Sequence, residues 1–81
     1  MDTDSALRAM VAHSGMSARA VAVASGRSPG YLTGLLAKGT NPSIAVTAEL
    51  AAPCGYAVAL VPLASPLPPG SLVIDPPRPT A

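Results

Sequence analysis

Four glycines, Gly15, Gly26, Gly39 and Gly55, divide the first 55 residues into four short stretches, and a residue able to cap a helix opens each. Glycine takes the left-handed conformation that closes a helix without steric cost. Ser, Thr, Asp and Asn accept a hydrogen bond from the open N–H groups at a helix start. A chain punctuated in this way is held to short helices and tight turns. Thr3 or Asp4 caps the first helix, where Leu7, Met10, Val11 and Ser14 share one face. Ser17 caps the second, which carries Val21, Ala22 and Ala24 before Gly26. Ser28 caps the third with Pro29 at its first position, where a missing N–H costs nothing. Leu32, Leu35 and Leu36 give that helix its apolar face, and Thr40-Asn41-Pro42 forms a turn after Gly39. Ser43 caps the fourth, whose Ile44, Thr47, Leu50, Ala51 and Cys54 repeat at helical spacing. Pro53 ends the regular helix near Ala52, since its ring clashes with the carbonyl four residues back.

The pattern changes after Gly55. Tyr56–Val61 has no cap, lies between Gly55 and Pro62, and reads as a short strand that is apolar on both faces and therefore covered on both. Leu63–Gly70 is a loop with three prolines, and Ser71–Asp75 is a second strand. The predicted fold is mainly α: four to five short helices plus a C-terminal β-hairpin. Residues 1–55 form the helical domain, 56–75 the hairpin and a dimerisation element, and 76–81 a proline-rich, disordered tail.

A chain of 81 residues buries only about 60% of its unfolded surface, so a second copy would add needed burial. It has no Phe or Trp, and Tyr31 and Tyr56 are the only aromatics. The core must be made from aliphatic side chains and alanine, which lets helices approach closely. The single Cys54 excludes an internal disulfide, and its place on the apolar face of the fourth helix marks it as core. His13 has no Cys or acid at metal spacing and reads as a surface residue. No catalytic constellation is present, so neither an enzyme nor a cofactor is expected. No leader is evident, and the longest apolar run falls well short of the roughly 20 residues of a membrane helix. A cytoplasmic protein without membrane contact is the expectation.

Charge is unevenly placed. The formal net charge is only +1, yet Arg8, Arg19, Arg27 and Lys38 all lie between Ser5 and Gly55, where Glu49 is the only acid. Glu49 reads as a solvated helix residue, and Arg8 and Arg78 as ordinary surface charges. Arg19, Arg27 and Lys38 cluster on the stretch from Ser17 to Ser43, where two short helices joined by a tight glycine turn make a helix-turn-helix pattern. Ala22 is the small residue that lets the two helices cross closely.

That stretch resembles the Cro/CI-like, or XRE-type, helix-turn-helix family. The matching strings are Met16–Ala22, Ala24–Leu36 and Gly39–Ile44, within a likeness that covers about Ala6 to Val61. The resemblance implies a lambda-repressor-like helix-turn-helix fold, double-stranded DNA as partner, a homodimer, and repressor-like regulation of transcription, as in phages and mobile elements; the apolar faces of Tyr56–Val61 place the joining of the two copies at residues 56–75. It implies that Ser17 and Arg19 face phosphates, as do Arg27 and Ser28 at the start of the recognition helix. Gly30, Tyr31, Thr33 and Gly34 then lie on the groove side, and Lys38, Thr40 and Asn41 touch the backbone at the exit. The chain departs from the family where relatives carry Gln, Arg or Asn to read bases. It has Ala18, Pro29, Gly30 and Gly34 instead, so specificity leans on phosphates and DNA shape. Two other readings stand beside this one: an antitoxin-type regulator that also holds a toxin, and a scaffold of the same shape that has lost DNA binding.

Overall fold

The computed structural model describes residues 1–76. Four helices, α1 (Thr3–Ser14), α2 (Ala18–Ala24), α3 (Tyr31–Lys38) and α4 (Ile44–Ala51), are followed by one 3-10 turn, Ala52–Cys54. The mainly helical class follows the sequence pattern, and Ser17 and Ser43 cap α2 and α4 by accepting from the N–H groups of Ala20 and Val46. Two starts differ from expectation. Asp2, one residue ahead of Thr3, caps α1 by accepting from Ser5 N–H at 2.7 Å. Ser28 does not cap α3. Its carbonyl accepts from Tyr31 N–H at 3.0 Å, and Gly30 sits at φ −89°, ψ 0°. These are the values of a type I turn with Pro29 at its favoured second position. The turn consumes Ser28–Gly30, and α3 begins only at Tyr31.

The core is aliphatic throughout. Leu7 and Met10 of α1, Val21 and Ala22 of α2, Leu32 of α3, and Leu50 and Ala51 of α4 form one buried cluster. Leu32, Leu50 and Val21 are its largest fully buried side chains. Alanine is the pivot: Ala22 is completely buried where α2 meets α3, as close crossing requires. Pro53 has the expected effect. It cannot donate to the carbonyl of Glu49, and the chain tightens into the 3-10 turn instead of continuing α4. Cys54 lies in that turn, half-buried against the core.

The expected hairpin is absent: the described residues contain no strand. Four prolines at 62, 66, 68 and 69 withhold N–H groups, and the chain turns at Pro62–Ser65 and Pro68–Ser71. Asp75 N–H bonds to the carbonyl of Met1 at 2.8 Å, not to 57–61. Tyr56 and Leu72 anchor the segment by packing on the core. The Tyr56 hydroxyl lies 3.1 Å from His13 Nδ1 and donates to the carbonyl of Gly70 at 3.2 Å. Nor is Tyr56–Val61 covered on both faces, because Val58, Leu60 and Val61 are exposed. Of the proline-rich end expected to be disordered, residues 77–81 lie outside the described residues, and Arg78 with them.

Two stability predictions follow from this core and its caps. Leu50→Ala should cost about 2–5 kcal/mol, because the cavity opens where α4 meets the rest of the core; urea titration followed by circular dichroism measures it. The N–H of Ser5 holds the Asp2 carboxyl below its ordinary value. The cap's contribution is therefore complete above the usual aspartate range and lost as pH falls through the lower folded value. Asp2→Asn should flatten that acid limb of the stability profile, and an unchanged limb would show the cap to be inert.

Candidate nucleic-acid interface

The corner between α2 and α3 is fixed by backbone chemistry. Gly26 adopts φ 80°, its N–H bonds to the carbonyl of Val23, and Arg27 N–H bonds to that of Ala22 at 2.9 Å. This crossed pair is a Schellman closure, and it needs a residue without a Cβ penalty at position 26. Ser25 helps by donating from Oγ to the carbonyl of Val21 at 2.7 Å. The chain leaves this closure at Arg27, passes through the Ser28–Tyr31 turn and enters α3, which packs on α2. Only Leu32 of α3 is fully buried, and Thr33, Ala37 and Lys38 are exposed.

Six of the expected site residues line one shallow concavity of about 360 Å³ on this outer side: Ser28, Gly30, Tyr31, Gly34, Lys38 and Thr40. Leu35, expected on the apolar face, forms part of its wall and is half-buried. Ser17, Arg19, Thr33 and Asn41 are exposed but do not line it. Ser17 Oγ already accepts from Ala20 N–H at 3.1 Å, which leaves its own hydrogen available to donate. Gly30 is the N-cap of α3 and supplies no side-chain bond, which leaves the N–H groups of Leu32 and Thr33 open, while that of Tyr31 is held by the Ser28 carbonyl.

Arg27 is placed differently from expectation. Its guanidinium donates to Glu49 Oε2 at 2.5 Å and lies 4.9 Å from the centre of the Tyr31 ring. It thus ties the corner to α3 and α4. The hydrogen bond from Arg27 to Glu49, with the charge beside it, raises the guanidinium pKa further. Glu49 is therefore the residue that sequence reasoning passed over: it reads as solvated, yet it is the counter-ion of a site cation. No spacing rule joins positions 22 residues apart; the only signal was that Glu49 is the lone acid in a basic stretch. Arg8 is also paired, with Asp4 at 2.8 Å, and it reaches the Leu36 carbonyl at the end of α3.

Two of the cations stand apart from the acids. Among the described residues, Asp4, Glu49 and Asp75 each hold an ion pair, with Arg8, Arg27 and the Met1 amino group, and Asp2 is engaged as a cap. Arg19 and Lys38 have no acidic partner among the described residues and are exposed. The described residues contain no cluster of His, Cys, Asp and Glu able to hold a metal, and no helix long and apolar enough to cross a membrane.

The glycine wall of the concavity makes a direct test possible. A Cβ built on Gly34 meets nothing within 4 Å, and its φ is not positive. Gly34→Ala should therefore stabilise the domain by about 0.5–1 kcal/mol, by restricting the unfolded chain without a clash. A lower urea midpoint would mean that the backbone at α3 is strained. Comparison with known proteins finds no matching family model, no curated relative and no solved structure.

Proposed function

We propose that this chain is a cytoplasmic DNA-binding regulator whose α2–turn–α3 unit acts as a helix-turn-helix on double-stranded DNA. The observation that carries the reading is the outer surface of α3. Six expected contact residues line one concavity there, and α3 ends on the unpaired cation Lys38. Lys38 and Arg19 supply the positive charge that phosphate contact requires. The open N–H groups at the start of α3 add the partial positive charge of a helix terminus. With glycine at 30 and 34, the helix presents backbone where side chains would otherwise hold a duplex away. Close approach and shape then contribute more to selection than bidentate base contacts do.

Arg27 has a changed role in this reading. In the free protein it is engaged by Glu49, so a phosphate at the corner competes with that carboxylate. Arg27 is a positioning residue for Tyr31 and becomes a phosphate contact only when Glu49 gives way. A second reading, a scaffold of the same shape that binds protein, draws on the glycines of α3, which offer no base-reading group.

Binding to duplex DNA separates the two. Arg19→Glu and Lys38→Glu should each lower affinity by about tenfold or more, with log K falling against log salt at a slope of about −3 per chain when three cations take part. Glu49→Gln should raise affinity several-fold by releasing Arg27 and removing a negative charge. Circular dichroism should be unchanged in all three. Wild-type protein that ignores duplex DNA at low salt would leave the scaffold reading in place.

A further inference from the structure

The outer side of α3 offers a duplex an unusual set of groups. Positions 31, 34, 35 and 38 follow the i, i+3, i+4, i+7 spacing of one helix face, and all four line the concavity there. The side chains that line it include no carboxylate, amide or guanidinium. Those groups make most of the paired hydrogen bonds to base edges in the major groove. The one charge is Lys38, at the end of the helix, where it meets phosphate. What remains is apolar surface from the Tyr31 ring and Leu35, together with the hydroxyls of Ser28, Tyr31 and Thr40.

Gly34 leaves a gap in this surface, since a Cβ built there meets nothing within 4 Å. The Tyr31 wall is held in place. Arg27 lies over the ring at 4.9 Å without lining the concavity, and its bond to Glu49 anchors it. Base edges in the major groove carry one apolar projection, the C5-methyl group of thymine. It is uncharged, it cannot hydrogen-bond, and it is the size of the carbon that Gly34 lacks.

We propose, on the basis of the DNA-binding role given to α3, that its concavity selects pyrimidines by their C5-methyl group, which enters the space at Gly34 against Tyr31 and Leu35. The hydroxyls beside it can donate or accept, so they suit the carbonyl at C4 of thymine and the amine at C4 of cytosine alike. The ligand class is therefore duplex DNA bearing C5-methylpyrimidines, with thymine and 5-methylcytosine read equally. Withdrawing one methyl group from water contributes about fourfold in affinity. That contribution is not ionic. Salt therefore weakens binding without changing the ratio between a methylated duplex and its unmethylated counterpart.

Two pairs of duplexes of equal length test this by fluorescence anisotropy on the full chain. One pair is alternating dA-dT against alternating dA-dU; the other is alternating dG-dC with and without 5-methylation of its cytosines. Within each pair the charge and the hydrogen-bonding edges are the same, and only the methyl group differs. The wild type should bind the methyl-bearing member at least about fourfold tighter in both pairs, at every salt concentration. Gly34→Ala fills the space with a carbon of its own and should be the more stable protein, so both ratios should fall to within about twofold of unity. Should that variant unfold, Gly34→Ser, which fills the same space, decides. A preference that comes from the shape of the duplex would survive either substitution. A ratio that persists in both variants therefore overturns the proposal, as does a preference confined to one pair or one that disappears with salt. Wild type that binds all four duplexes alike overturns it and leaves the DNA-binding role standing. Wild type that binds none of them at low salt removes both.

Discussion

Everything in this molecule depends on how closely α2 can lie against α3 without an aromatic side chain to fill the space between helices. Ala22 and Ala51 bring backbones together, and Leu32, Leu50 and Val21 fill what remains. A core of this kind loses little side-chain entropy on folding, but it also buries little area. The domain is correspondingly sensitive to methylene-sized changes at its three largest buried side chains, because small cores have few contacts to lose. Its backbone closures supply much of the order that bulky residues provide elsewhere. The crossed hydrogen bonds at Gly26 recur at Gly55, where Tyr56 N–H bonds to Ala51 and Gly55 N–H to Ala52. Both closures sit at the ends of helices that contribute to the core.

The two halves of the chain have opposite surface chemistry. The helical half holds four cations, of which Arg8 and Arg27 are paired with acids, so that Arg19 on α2 and Lys38 at the end of α3 stay unpaired among the described residues. The following segment dispenses with charge and exposes leucine and valine. The first kind of surface attracts from a distance and weakens with salt; the second acts only at contact and is indifferent to salt. A single chain of this size thus carries two surfaces of contrasting character, one with an unpaired lysine and one without charge.

Much of the helical half was legible in the sequence because local rules govern it. Caps at Ser17 and Ser43, glycine stops, and the break at Pro53 each depend on residues within a turn of one another. The start of α3 was misplaced for a local reason too: Ser-Pro-Gly fits both a helix start and a type I turn, and the turn prevails because Gly30 has no side chain with which to cap. The hairpin failed on a non-local question. Apolar runs bounded by glycine and proline mark 56–61 and 71–75 as strand-like, but whether they pair depends on the path of the prolines between them and on Asp75 meeting Met1. The Arg27–Glu49 pair was equally hidden, since it joins a corner to a separate helix and leaves no periodic trace.

The two tyrosines have a practical consequence. One ring lies under the guanidinium of Arg27 beside the α3 concavity, and the other bridges His13 and Gly70 at the root of the apolar segment. With no tryptophan in the chain, the near-ultraviolet signal comes from these two rings alone. Each of these two surfaces therefore has its own intrinsic chromophore, and replacing either one with phenylalanine assigns a spectral change to one end of the protein without any label.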